Sequence, residues 1–79
     1  MAIHYIPTAK GRVLVRFETR WWKESLDETD RLVMLSMYMK GEPMTSKEIA
    51  EDSDLSVSEV ERSLRKMVDF GYTDREFGE

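Results

Sequence analysis

Two periods divide the chain. Between residues 12 and 17, RVLVRF alternates, with Val13, Val15 and Phe17 on one side and Arg12, Leu14 and Arg16 on the other. A repeat of two in β-branched and aromatic residues predicts a strand. TAKG before it reads as a turn, so HYI and RVLVRF are expected to form a hairpin within an extended arm, residues 1–24. Pro7 argues against a central place for the first segment, because proline has no N–H to donate to a ladder. From residue 25 the period lengthens to that of a helix. Leu32, Val33, Ser36 and Met39 share one face, and Leu35 and Tyr38 lean to a second. A helix apolar over more than half its girth belongs in the core or at a subunit contact. Farther on, Ile49, Ala50 and Ser53 mark the inner face of a short helix. Val60, Leu64, Met67 and Val68 recur at i, i+4, i+7 and i+8 on a longer one.

The boundaries of these helices carry their own signals. Ser25-Leu-Asp-Glu28, Thr45-Ser-Lys-Glu48 and Ser56-Val-Ser-Glu59 each fit the capping box, in which a hydroxyl and a carboxylate three residues on satisfy each other's orphan backbone N–H groups. They open helices over 25–40, 45–53 and 56–70. Gly41 and Pro43 stop the first. Gly71 is a left-handed stop for the third, with Phe70 and Tyr72 placed to pack back on it. Residues 72–77 form a short final strand. The expectation is one domain, 1–79, mainly α with a small β-sheet: an N-terminal strand or hairpin, three helices and a short strand.

The stretch TSKEIAEDSDLSVSEVERSLRKMVDFGY, residues 45–72, resembles the winged helix-turn-helix superfamily, including MarR-, Lrp- and IclR-like regulators and small phage and plasmid proteins. Ile49-Ala50, Leu55-Ser56, Val60, Arg62, Leu64, Met67 and Gly71-Tyr72 carry the likeness in register. Asp54 stands where glycine is common, and aspartate tolerates a positive φ better than most residues. Ser53 replaces a usual leucine. The wing is short, and RVLVRF is expected to pair with the tail in place of a missing wing strand. The resemblance implies a sequence-specific DNA-binding protein, a small transcriptional regulator whose third helix enters the major groove. It implies DNA contacts at Thr45, Ser46, Lys47, Val57, Ser58, Arg62, Arg65, Lys66 and Arg75, with Arg62 or Ser58 at base edges and the basic edge on phosphates. A homodimer on two half-sites is expected, since one small module supplies little affinity.

Charge complicates that picture. The net charge is −4, yet residues 1–24 carry five cations against two anions, and the remainder carries seven against fourteen. The basic excess therefore lies in the arm, whereas a nucleic-acid binder usually has a basic face. Glu59 and Glu61 fall in the first turns of the groove-facing helix. Glu59 is assigned to its capping box or, alternatively, to readout of a cytosine amino group. Glu61 is solvated, paired with Arg65 at i+4, or facing a protein. Arg12, Arg16 and Arg20 recur in the arm before Trp21 and Trp22. They flank DNA, form a dimer strand anchored by a tryptophan, or leave at least one tryptophan in the core. Arg62, Arg65 and Lys66 could equally form a solvated polar face.

Other chemistry finds little support. The chain has no cysteine and a single histidine, His4, so no metal site or cofactor is expected. No phosphate loop or nucleophile motif is present, which argues against an enzyme. Met34, Met37, Met39 and Met44 suit core or contact packing. The longest apolar run, LVML, is far too short to span a membrane, and a cytoplasmic protein is expected. Two readings remain: a regulator bound to double-stranded DNA, and a winged-helix interaction module, such as a phage-type protein, docking its acidic half on a basic protein surface.

Overall fold

The computed structural model describes residues 2–16 and 26–77. In chain order these form strand β1 (Ile3–Pro7), helix α1 (Ala9–Arg16), helix α2 (Glu28–Lys40), strand β2 (Met44–Thr45), helix α3 (Ser46–Ser53), helix α4 (Val57–Asp69) and strand β3 (Thr73–Phe77). The three strands make one sheet in the order β2-β1-β3, with β1 antiparallel to both neighbours. Tyr5 faces Met44 on one side and Arg75 on the other. The fold is that of a winged helix-turn-helix domain, mainly helical with a small sheet.

The N-terminal arm departs from the sequence expectation in two ways. RVLVRF is not a strand: Arg12 to Arg16 are helical, within α1. Thr8 starts this helix. Its Oγ1 accepts from the Gly11 N–H at 3.1 Å, and its carbonyl accepts from the Arg12 N–H at 2.9 Å. The buried residues are Gly11, Leu14 and Val15, spaced i, i+3, i+4, while Val13 is 54 % exposed. The helical period won because it puts Leu14 and Val15 together against α2, which the alternating reading separates. Second, β1 is the central strand despite Pro7. Proline falls at the strand's last residue, opposite Thr73, where a missing donor costs least. The segment paired with the tail is therefore IHYIP and not RVLVRF.

Helix α2 is capped by Asp27, whose carboxylate accepts from the Asp30 N–H at 3.0 Å while Asp30 accepts from the Asp27 N–H at 3.0 Å. Ser25, expected at this cap, lies outside the described residues. The inward stripe is Asp30, Val33, Met34 and Met37, so Met39, expected on the inner face, is 80 % exposed. Helices α3 and α4 start at the Thr45/Glu48 and Ser56/Glu59 capping boxes. Asp54 between them adopts φ 60°, and Gly71 after α4 adopts φ 83°. Val33, Met34, Met37, Ile49, Val60, Leu64 and Met67 are fully buried, so one core joins α2, α3 and α4. Helix α1 closes over the far end of α4. The Thr8 hydroxyl donates to the Gly71 carbonyl at 2.7 Å and Lys10 Nζ to the Phe70 carbonyl at 3.0 Å, with the Lys10 ammonium 4.8 Å from the Tyr72 ring centre.

Candidate nucleic-acid interface

Burying Val60, Leu64 and Met67 fixes which side of α4 faces out. Val57, Ser58, Glu59, Glu61, Arg62, Arg65 and Asp69 are exposed. The turn through Asp54 sets α3 beside this helix, so Ser46 and Lys47 at the start of α3 adjoin the same surface. The Ser46 hydroxyl donates to the Glu61 carboxylate at 3.3 Å, which ties the two helices at that edge.

The acidic residues of this surface divide by role. Glu59 accepts from the Ser56 N–H at 3.1 Å and from its hydroxyl at 3.0 Å. The Ser56 backbone N–H, then its hydroxyl, hold the Glu59 carboxyl below the usual carboxylate range. Glu48 is lowered in the same way by Thr45, whose N–H donates to it at 2.9 Å. Both glutamates therefore serve the starts of their own helices. Glu61 has no such task, and its recorded partner is Ser46 rather than Arg65.

The cations divide as well. Lys66, expected among the phosphate contacts, is committed inward. Its Nζ donates to Asp30 Oδ2 at 2.6 Å, and the Ser63 hydroxyl donates to Asp30 Oδ1 at 2.6 Å. Asp30 is only 2 % exposed. Burial pushes its carboxyl up, but the Lys66 ammonium, the Ser63 hydroxyl and the Asp27 N–H outweigh burial and hold it below the usual range. Sequence reasoning missed this cluster. Its only local trace is the Asp27/Asp30 spacing of a capping box, two residues beyond the box read at Ser25. Lys47, Arg62, Arg65 and Arg75 are exposed, and none of the four forms an ion pair within 4.0 Å among the described residues.

Two clefts flank α4. One, of about 240 Å³, lies between α4 and the sheet and is lined by Tyr5, Glu61, Arg65, Val68, Asp69 and Arg75. It brings together Arg65 and Arg75, which are ten residues apart in sequence. The other, of about 70 Å³, lies on the α2 side and includes Arg62 with Asp27, Thr29, Asp30, Glu59, Ser63 and Lys66. Arg12 lies elsewhere, in a cleft with Ile6, Pro7, Met37, Tyr38 and Gly41, and Arg16 follows it one turn along α1. The two arginines thus sit on a helix and not on an extended arm. Arg20, Trp21 and Trp22 lie outside the described residues. Among the described residues no group of three His, Cys, Asp or Glu side chains could hold a metal ion, and no helix is long and apolar enough to cross a membrane.

Residues 28–74 match the family model described as bacterial regulatory protein, arsR family. No curated protein and no solved structure matches the chain. The family match runs from the first residue of α2 into the start of β3 and leaves β1 and α1 outside it. The winged helix-turn-helix resemblance of residues 45–72 thus resolves to one family of DNA-binding regulators. Because the match spans more than half of the sequence, the chain belongs to the arsR family of bacterial regulatory proteins.

Proposed function

We propose that this protein is a sequence-specific transcriptional regulator that lays α4 in the major groove of duplex DNA. The observation that carries the reading is the outer face of α4, where Arg62 and Arg65 stand exposed and, among the described residues, outside any ion pair, backed by a fully buried Val60, Leu64 and Met67. In this arrangement Val57, Ser58 and Arg62 meet base edges, and Arg65 takes a phosphate. Thr45, Ser46 and Lys47 at the start of α3, and Arg75 on β3, meet the backbone on either side. Lys66 is left out, because its ammonium already balances a buried carboxylate. A homodimer on two half-sites supplies the affinity that one module lacks.

The test is the affinity for mixed-sequence duplex DNA as salt rises, followed by selection of a preferred site. Phosphate contacts must weaken steeply with salt. The double variant Arg62→Glu/Arg65→Glu is expected to abolish binding with the melting temperature unchanged. Folded protein that fails to bind duplex at low salt would remove the reading. A second reading draws on Glu61 and on the acidic excess of residues 25–79: a regulator that docks this face on a basic protein surface. It predicts no duplex binding and instead salt-sensitive capture by a cationic partner.

A further inference from the structure

The cleft between α4 and the sheet has an anion at its rim that belongs to the protein. Glu61 lines it together with Arg65, Arg75, Tyr5, Val68 and Asp69, and the Glu61 carboxylate also accepts the hydroxyl of Ser46 at 3.3 Å. Of the three elements around the cleft, α3 reaches this carboxylate through Ser46, while Arg65 of α4 and Arg75 of β3 line the same cleft. A hydroxyl donor and two guanidinium groups that form no ion pair among the described residues suit a phosphodiester oxygen. Glu59, by contrast, is spent on its own helix start.

We propose that Glu61 is an affinity-setting residue that holds, within the free protein, the place a DNA backbone phosphate takes in the complex. The proposal rests on α4 being the DNA-facing helix. The cleft sets two arginines, Arg65 and Arg75, against two carboxylates, Glu61 and Asp69. A phosphate approaching it meets a like charge and finds the Ser46 hydroxyl already engaged. Binding then requires Glu61 to swing clear, so duplex DNA is held weakly unless base contacts along α4 offset the displacement. Glu61 would thus suppress non-specific binding more than specific binding, which is a form of discrimination by repulsion.

The experiment measures affinity for mixed-sequence duplex DNA by fluorescence anisotropy at low and moderate salt. It compares the wild-type chain, Glu61→Ala, Ser46→Ala, the double variant Glu61→Ala/Ser46→Ala, and Asp69→Asn as a charge control. Glu61 is exposed, so its replacement should leave the melting temperature unchanged. Removing one like charge within a few ångströms of a phosphate should tighten binding roughly tenfold, and more than Asp69→Asn does. Ser46→Ala should cost affinity in the Glu61→Ala background and almost none in the wild type, because only there is its hydroxyl free for phosphate. Equal effects of Ser46→Ala in both backgrounds, or a Glu61→Ala affinity equal to wild type, overturn the proposal and leave the DNA reading standing. Failure of every variant to bind at low salt overturns the DNA reading and the proposal together.

Discussion

Gly11 shows how one missing side chain can decide where an element sits. A Cβ built there would lie 2.1 Å from the Tyr72 carbonyl oxygen and 2.9 Å from the Met34 Cε. The methionine can shift, but the carbonyl oxygen is held by the Thr8 N–H at 3.0 Å. Gly11→Ala should therefore force α1 away from the sheet, at about 2 kcal/mol, lowering the melting temperature by roughly 10 °C for a domain of this size. Gly41→Ala is the comparison: φ is 74°, but nothing lies within 4 Å of the added carbon, so about 1 kcal/mol of backbone strain is its main cost. Asp30 makes the opposite case, in which a side chain is kept for its charge. Lys66→Met would leave a carboxylate buried with two hydrogen bonds and no cation, a loss of roughly 3 kcal/mol. The pH dependence follows from the lowered Asp30 carboxyl. Its stabilisation is fully present above the ordinary carboxylate value near 4 and is lost as pH falls through the lower folded-state value. In Lys66→Met that drop should flatten, because burial then opposes the remaining hydrogen bonds. Circular dichroism against pH, at a temperature where both proteins are folded, checks this.

At the scale of elements, the strand order gives β1 more weight than its length suggests. Bonded to β2 on one edge and β3 on the other, it holds the sheet together, whereas among the described residues β3 is bonded on one edge only. Tyr5→Pro removes a ladder donor from the central strand and should cost about 1–3 kcal/mol for the acceptor left unpaired. Asp74→Pro on the edge strand should cost less, and chemical denaturation of the two variants ranks them. The helix starts were legible because a capping box is closed over four residues. Thr45/Glu48 and Ser56/Glu59 needed no knowledge of what lies across the core, and the left-handed Asp54 was expected from the helix-turn-helix resemblance, which often has glycine at that turn. Helix α1 was not legible by that route. In RVLVRF the spacing Val13–Val15 suits a strand and Leu14–Val15 suits a helix. What decides between them is contact with α2 and with Tyr72, some sixty residues away, which a local pattern does not contain. The same holds for Met39: the inward stripe of α2 begins at a buried aspartate, and a search for apolar positions steps over it. At the interface, the residue types were legible and their commitments were not. Nothing near Lys66 in sequence marks it as the partner of Asp30.

For the whole molecule, a net charge of −4 is a poor guide to the surface that DNA would meet. Asp27, Asp30, Glu48 and Glu59 are engaged at helix starts, where the backbone N–H groups of the first turn favour negative charge. Part of the acidic excess is therefore held by the fold and does not face a ligand freely. On the other side of the balance, Lys66 is withdrawn to Asp30, leaving Lys47, Arg62, Arg65 and Arg75 around α4 without recorded ion pairs. This sorting makes the salt dependence a quantitative test. Each phosphate neutralised contributes a slope of about −0.9 to log K against log salt, so contacts from Lys47, Arg65 and Arg75, with Arg62 at base edges, give about −2.7 per protomer and about −5.4 for a homodimer on two half-sites. Replacing Arg75 or Lys47 by alanine should reduce the slope by about 0.9 per protomer with little change in melting temperature. Lys66→Met should do the reverse, lowering the melting temperature and leaving the slope where it was. A slope that drops in Lys66→Met as much as in Arg75→Ala would mean that the lysine exchanges Asp30 for a phosphate on binding. In that case complex formation would also leave the buried carboxylate without its cation, and the affinity would fall short of what four phosphate contacts supply. Light scattering on the same complexes gives the number of protomers by which the slope is divided.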